Sequence, residues 1–250
     1  MKIAAVIPAR YDSTRFPGKP LAKIDGKPMI EHVYERVKKA ENIDEVLVAT
    51  DDERIKEAVI DFEGKVEMTS SEHKSGTDRV AEVARELDVD IIVNVQGDEP
   101  LIEPVMIDQA IRPFKENNDL VMSTLKKKID NLNEINNPNV VKVITDKNNY
   151  ALYFSRSTIP YKRESSNFEA DFYKHIGLYV YKKDFLLKYS EMETSSLEKT
   201  ESLEQLRVLE NGYKIKVVET AFDTVGVDTP EDLQYVKELI HREDTDLRWE

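Results

Sequence analysis

Short apolar runs alternate with amphipathic segments over the first hundred residues. Four runs rich in β-branched and small apolar residues predict strands at residues 3–7, 45–49, 65–68 and 91–95. Apolar residues recur at helical spacing in three segments, which predict helices at residues 29–37, 52–62 and 77–87. Strands that alternate with helices favour parallel pairing, so the sequence predicts an α/β fold with a doubly wound, mostly parallel sheet.

The pattern changes after about residue 120. Further strands are predicted at residues 121–125, 140–145, 150–155 and 175–181, and a polar turn at residues 146–149 joins the second to the third. We interpret approximately residues 121–190 as an antiparallel insertion, where a sugar site or a partner chain could be accommodated, within one domain of residues 1–250. The chain then predicts a helix at 202–210, a strand at 215–218 and a final helix from Pro230.

Composition narrows the class of protein. A hydrophobic fraction of 40% in 250 residues is enough for a sizeable core. The net charge of −13 argues against broad binding of nucleic acid or of an anionic membrane. The absence of cysteine excludes disulfides and thiolate metal sites and is compatible with a reducing cytoplasm. The opening apolar run is too short to span a membrane, and four histidines without a paired motif argue against a zinc site.

A cationic loop follows the first predicted strand and contains Arg10, Arg15 and Lys19. Ligands of open α/β sheets bind outside the carboxyl ends of the strands, and arginine forks with a lysine point charge suit phosphate oxygens. The loop has neither the dinucleotide fingerprint nor the P-loop pattern. A solvated loop is the alternative interpretation.

Two aspartates, Asp98 and Asp228, lie in short segments between predicted elements. Asp98 follows the strand at 91–95 directly after Gly97, where it could hold Mg²⁺ together with nucleotide phosphates. Asp228 precedes the final helix, whose start is explained by Thr229 as N-cap and Asp232 in a capping box. Helix capping does not explain Asp228. The alternative is that both aspartates are ordinary turn residues.

The segment SEHKSGTDR precedes the helix at 77–87 and contains Ser75 and Arg79. Its small residues would let the backbone approach a ribose or a base, and Arg79 could donate to a base carbonyl or a phosphate. Helix capping by Ser75 or Thr77 is an equally good interpretation. His175, at the start of an aromatic strand, is by itself typical of a core histidine.

Taken in order, these segments resemble the 3-deoxy-manno-octulosonate (Kdo) cytidylyltransferase family. The resemblance covers nearly the whole chain. It rests on the segments IPARYDSTRFPGKPL, VATDD, HKSGTDR, NVQGDEP, NPNVVKV, YALYFSRSTIP, KHIGLYVY, LEQLRVLENG and GVDTPEDL. The polar segment 161–173 and the charged tail after residue 240 match no pattern of this kind.

The resemblance implies a nucleotide-diphospho-sugar transferase fold, a homodimer in the cytoplasm and a Mg²⁺-dependent reaction. CTP and Kdo would give CMP-Kdo and pyrophosphate, a step of lipopolysaccharide biosynthesis. It further implies catalytic roles for Lys19, Asp98 and Asp228, the two aspartates being the metal ligands. The implied nucleotide-binding residues are Arg10, Arg15, Lys19, Ser75 and Arg79. The implied sugar-binding residues are Gln96, Arg156, His175, Glu204 and Gln205, with Arg163 a further candidate for the sugar carboxylate.

This chemistry agrees with the cationic loop and the paired carboxylates, because nucleotidyl transfer depends on in-line positioning and charge neutralisation. The hypothesis is that the sugar C2 hydroxyl attacks the α-phosphorus while Lys19 and the arginines stabilise the departing pyrophosphate. Three alternatives stay open at this point. They are a cytidylyltransferase for another acid sugar, such as 8-amino-Kdo or a nonulosonate, a glycosyltransferase, and a non-catalytic nucleotide-binding module.

Overall fold

A computed structural model describes residues 1–163 and 170–246, with only the helical backbone described for residues 242–246. Parts of the segment 161–173 and of the tail after residue 240 therefore lie outside the described residues. Within the described residues, the strands are β1 (Ile3–Ala9), β2 (Lys23–Ile24), β3 (Lys27–Pro28), β4 (Glu45–Thr50), β5 (Val66–Met68), β6 (Ile91–Asn94), β7 (Met122–Lys128), β8 (Lys142–Thr145), β9 (Ala151–Ser155), β10 (Tyr173–Lys182) and β11 (Ile215–Glu219).

The described residues also form nine α-helices. They are α1 (Met29–Val37), α2 (Glu53–Asp61), α3 (Gly76–Glu86), α4 (Pro104–Glu116), α5 (Leu132–Ile135), α6 (Lys183–Ser190), α7 (Ser196–Glu201), α8 (Gln205–Glu210) and α9 (Pro230–Asp246). A short 3₁₀ helix, Lys19–Leu21, lies between β1 and β2. No described helix is long and apolar enough to cross a membrane.

The chain divides into two compact units, one of Met1–Ile107 with Thr224–Glu250 and the other of Asp108–Asp223. In the first unit, β1 pairs in parallel with β4 and β6, and β5 pairs in parallel with β4. The predicted parallel sheet is thereby confirmed. Apolar side chains occupy consecutive positions of β1 because α1 and α3 both contact it, and Ala4 to Ile7 have no exposed surface.

Parallel pairing brings the carboxyl ends of the strands to one edge of this sheet. Val6 of β1 lies opposite Asn94 of β6, and Ala9 lies opposite Thr50 of β4. The segments that follow these three strands therefore leave the sheet at the same edge, which is where ligands of such sheets bind.

The second unit is built around β7, which pairs antiparallel with β10 and parallel with β11. The predicted hairpin at 140–155 is confirmed, since β8 and β9 pair antiparallel and β8 joins β10 through Lys142 and Lys174. The parallel pairing of β11 with β7 adds a parallel component to a region that the sequence predicts as antiparallel. The fold as a whole is mixed α/β with a mostly parallel sheet.

Several elements differ from the sequence prediction, which lacks β2, β3, α4, α5, α6 and α7. Helix α4 was not predicted, although its buried residues Met106, Ile107, Ala110, Ile111 and Phe114 stand at helical spacing. The helix predicted at 202–210 is confirmed in part as α8, which begins three residues later, at Gln205. Helix α7 precedes it, and Ser202, in a left-handed conformation with φ of 53°, ends α7.

Candidate active site

Lys19 lies between two carboxylates in the first unit. Gly18, with φ of 71°, turns the loop after β1, and Lys19 begins the 3₁₀ helix. The Nζ atom of Lys19 is 2.7 Å from Oδ2 of Asp98 and 3.3 Å from Oδ1 of Asp228. The lysine side chain is 13% exposed, whereas those of Asp98 and Asp228 are 33% and 50% exposed. The three residues that the sequence singles out as catalytic are thus in direct contact.

Asp98 reaches this position because Gly97 has no side chain. A Cβ atom on Gly97 would lie 2.8 Å from the backbone oxygen of Pro8 in β1. That distance is shorter than real Cβ contacts, and a backbone atom of a central strand has little freedom to move. Only glycine therefore lets the chain turn directly after β6 and place Asp98 at the sheet edge.

We expect Gly97→Ala to destabilise the protein by about 1–3 kcal/mol, since the added methyl overpacks against β1. The free energy of unfolding, measured by urea denaturation, is the test. Gly226→Ala is the matched control because a Cβ there meets no atom within 4 Å, and its effect should stay within about 0.5 kcal/mol. Equal stability of the two variants would contradict the close approach at Gly97.

Asp228 is directed at Lys19 because helix capping uses its neighbours. Oδ2 of Asp232 accepts hydrogen bonds from the backbone N–H groups of Asp228 and Thr229 and from the Thr229 hydroxyl. Burial raises the pKa of Asp232, but these hydrogen bonds outweigh it and hold the pKa below its ordinary value. The Asp228 side chain is left to contact Lys19 and the Nη2 atom of Arg15, 3.0 Å away. The N–H of Val227 donates to the backbone oxygen of Asp98, which joins the two carboxylate segments.

Glu99 stands beside Asp98, and its carboxyl group is mostly protonated at neutral pH. Burial raises the pKa of its carboxyl group to about 8, and the neighbouring Asp98 adds to the shift. Its Oε2 atom is buried and has no hydrogen-bond partner among the described residues. The negative charge next to Lys19 therefore belongs to Asp98 and Asp228.

The two arginines of the cationic loop are both exposed, Arg10 directly after β1 and Arg15 beside Asp228. Arg54 carries no sequence pattern that would single it out, yet its guanidinium lies 3.3 Å from the ring centroid of Tyr11 in this loop. The loop thus has a contact with the start of α2 that could not be foreseen from residue spacing.

Ser75 and Arg79 have local structural contacts. Ser75 is the N-cap of α3, and its Oγ atom accepts a hydrogen bond from the N–H of Asp78 at 3.1 Å. Arg79 is 4% exposed and pairs with Asp51 at 2.8 Å and with Thr69. The capping alternative is confirmed for Ser75. Contact of either residue with cytidine stays a prediction.

Of the predicted sugar-binding residues, Gln96 belongs to the first unit, where its amide nitrogen donates to Oδ1 of Asn94. His175 belongs to the second unit, with its Nε2 atom 2.9 Å from the hydroxyl of Thr124 and its ring between Phe154 and Tyr179. Burial lowers the pKa of His175 to about 3. The ring is therefore neutral and acts as a hydrogen-bonding group.

Arg156, Glu204 and Gln205 also lie in the second unit. The Arg156 guanidinium donates to the backbone oxygens of Pro138, Glu201 and Ser202, so the side chain already has acceptors. The backbone oxygen of Glu204 accepts from the hydroxyl of Tyr189. Gln205 is 3% exposed and its Nε2 atom has no partner among the described residues. Arg163, the further candidate, is exposed.

Asp98 and Asp228 fit a divalent cation. Their carboxylate oxygens are the ligands that Mg²⁺ prefers, and they already surround one cationic group, the Lys19 ammonium. The described residues contain no group of three or more histidine, cysteine, aspartate or glutamate side chains placed to hold a metal ion. Phosphate oxygens and water are suitable as the remaining ligands.

A parallel α/β sheet with a cationic loop and two carboxylates at its carboxyl edge fits nucleotidyl transfer, and comparison with known proteins identifies the class. The sequence model of a family described as cytidylyltransferase matches residues 4–215 of this chain. Relatives that are 59–60% identical over nearly the whole chain show that it belongs to the 3-deoxy-manno-octulosonate cytidylyltransferase family.

The similarity to members of this family extends over the full length. The 3-deoxy-manno-octulosonate cytidylyltransferase of Geotalea uraniireducens is 59% identical over 251 residues, which cover 97% of this chain and 100% of the relative. That of Geotalea daltonii is 60% identical over 249 residues, covering 96% and 98%. A solved structure of CMP:2-keto-3-deoxy-manno-octonic acid synthetase complexed with CTP superposes with a TM-score of 0.93 at 45% identity, covering 97% of this chain and all of that one.

Proposed function

We propose that the chain transfers CMP from CTP to the C2 hydroxyl of Kdo, giving CMP-Kdo and pyrophosphate. The observation that carries the proposal is the contact of Lys19 with Asp98 and Asp228 at the carboxyl edge of the parallel sheet. The substrates follow from the relatives, which are Kdo cytidylyltransferases at 59–60% identity, and from the similar structure complexed with CTP.

The first unit supplies the positive charge for the triphosphate. Arg10 and Arg15 are exposed at the sheet edge, and guanidinium groups bind phosphate oxygens through paired hydrogen bonds. Negative charge grows on the leaving pyrophosphate as its bond to the α-phosphorus breaks. A preorganised ammonium group such as that of Lys19 stabilises this charge more in the transition state than in the ground state.

Asp98 and Asp228 are the residues that would hold Mg²⁺, the cofactor that we infer for this reaction. Bound magnesium supplies Lewis-acid polarisation of phosphate oxygens. The two aspartates also pair with the Lys19 ammonium before CTP binds.

Recognition of an acid sugar requires hydrogen-bonding groups for its hydroxyls and a cation for its carboxylate. The first role is supported by the neutral ring of His175 and by the amide nitrogen of Gln205, which has no hydrogen-bond partner among the described residues. Arg156 is the candidate for the second role, although its donors are directed at backbone oxygens here. Glu204 completes the proposed set in the second unit, and a role for Gln96 of the first unit stays a prediction.

We also infer a cytoplasmic homodimer that acts in lipopolysaccharide biosynthesis. The absence of cysteine and the need for CTP support the compartment. The homodimer is what the resemblance to this family implies. Light scattering after gel filtration should give twice the chain mass, and the mass of one chain would contradict the dimer.

Product analysis of a single reaction tests the proposed activity. With CTP, Kdo and Mg²⁺, mass spectrometry should detect CMP-Kdo, and a coupled assay should measure one pyrophosphate for each CMP-Kdo formed. Omitting either Kdo or Mg²⁺ is the control and should abolish both products. Consumption of CTP without pyrophosphate, or pyrophosphate release that does not depend on the sugar, would overturn the assignment.

A further inference from the structure

The Tyr11 ring of the cationic loop is held from outside the loop. The guanidinium carbon of Arg54 lies 3.3 Å from the ring centroid, close enough for direct stacking. Gly18 approaches the same ring so closely that a Cβ atom there would be 3.1 Å from three of the Tyr11 side-chain atoms. Tyr11 is therefore in contact with both Arg54 and the residue that precedes Lys19.

Arg54 is itself fixed by Asp52. Its Nε and Nη2 atoms donate to the two carboxylate oxygens of Asp52 at 2.9 and 2.5 Å, which is the two-point geometry of a guanidinium–carboxylate pair. Asp52 is also the N-cap of α2, since its Oδ1 accepts from the N–H of Arg54. The N–H of Asp52 donates to the hydroxyl of Thr50 at the end of β4. The stacking cation is thus anchored to the sheet and to the first turn of α2.

Backbone hydrogen bonds connect Tyr11 to the segment that contains Lys19. The N–H of Gly18 donates to the backbone oxygen of Tyr11 at 2.9 Å, and the N–H of Lys19 donates to that of Phe16 at 3.2 Å. The N–H of Leu21 in turn donates to the backbone oxygen of Gly18. Fixing Tyr11 therefore fixes the end of the loop from which the Lys19 side chain extends.

We propose that Arg54, oriented by Asp52, is a positioning residue that holds the cationic loop in its triphosphate-binding form through the Tyr11 ring. The proposal rests on the proposed function, since the triphosphate is the ligand of that loop. Arg54 acts through Tyr11 and need not contact the nucleotide. Ordering the loop before CTP arrives lowers the entropy lost on binding, so the effect falls on CTP affinity.

The main variant is Arg54→Met, which keeps a long unbranched side chain and removes the planar cation. We expect the KM for CTP to rise about fivefold to tenfold, with kcat changed less than threefold. Arg54→Lys should behave like Arg54→Met because it retains the charge but lacks the planar fork. Tyr11→Phe keeps the ring and should behave as wild type, whereas Tyr11→Leu should reproduce the defect. Lys56→Met, which removes another cation of α2, is the matched control.

Hydrogen exchange separates positioning from a merely structural role of Arg54. Without nucleotide, amides of the loop segment from Tyr11 to Leu21 should exchange several times faster in Arg54→Met than in Lys56→Met. Saturating CTP and Mg²⁺ without sugar should reduce the difference. Unchanged loop exchange together with a wild-type KM for CTP in both Arg54→Met and Tyr11→Leu would overturn the proposal. Failure of the proposed function would show itself separately, as a wild-type protein that forms no CMP-Kdo, while the exchange experiment still reports on the loop.

Discussion

We expect Asp98→Asn to lower the rate of CMP transfer about a thousandfold and to leave the folded structure intact. The substitution removes one of the two carboxylate charges proposed to hold Mg²⁺, and metal polarisation of this kind is worth several kcal/mol in the transition state. Since each 1.4 kcal/mol changes a rate tenfold, a loss of about three orders of magnitude follows. Asp228→Asn should have a similar effect. Steady-state kinetics across a range of Mg²⁺ concentrations is the measurement.

The fold should survive because the structural role of Asp98 lies in its backbone. Its backbone oxygen accepts from the N–H of Val227, and asparagine keeps that bond. Asp61→Asn is the matched control, since it removes the same charge from an exposed position at the end of α2 and should leave the rate unchanged. Near-normal turnover in either Asp98→Asn or Asp228→Asn, at any Mg²⁺ concentration, would remove that residue from the metal site.

Lys19→Met should lower kcat about a hundredfold to a thousandfold, as expected when one preorganised cation is removed from developing charge. Methionine keeps the length of the side chain without its ammonium group. The variant should also bind a divalent cation more tightly in the absence of nucleotide, because the ammonium that competes for Asp98 and Asp228 is gone. Partly exposed ion pairs contribute up to about 1 kcal/mol each, so losing two of them corresponds to up to roughly thirtyfold tighter binding.

Binding of Mn²⁺ to the nucleotide-free protein, followed by electron paramagnetic resonance, measures the second effect independently of activity. Lys23→Met is the control, since it removes an exposed lysine close to Lys19 in the sequence and should change neither quantity. A Lys19→Met protein with unchanged kcat and unchanged Mn²⁺ affinity would show that Lys19 serves neither the leaving group nor the carboxylates.

Strands buried on both faces were the easiest part of the fold to predict. Polar and apolar residues do not alternate along β1, because helices cover both faces of the sheet. A continuous run of apolar residues is therefore enough to predict that this segment is a strand and where it lies. The division at residues 107 and 223 could not be predicted in this way, since it follows from contacts made after folding. Helix α7 ends where Ser202 adopts a left-handed conformation, and a serine in the sequence gives no indication of that conformation.

The sequence indicates the individual candidate residues of the site, but it does not show which of them are in contact. Lys19, Asp98 and Asp228 each stand at a recognisable strand end or helix start, yet they meet across 79 and 209 residues of sequence. Their contact depends on which strands are neighbours. Arg79 shows the opposite difficulty, because a charged residue in a polar segment suggests exposure, whereas its pairing with Asp51 allows it to be buried.

Pyrophosphate release with different acid sugars tests the central claim most directly. CTP and Mg²⁺ are supplied with Kdo, with 8-amino-Kdo or with a sialic acid in separate reactions, and the initial rates are compared. The account predicts rapid release with Kdo and at most slow release with the other two. Release with 8-amino-Kdo or the sialic acid but not with Kdo would contradict the proposed substrate, and no release with any of the three would contradict nucleotidyl transfer itself.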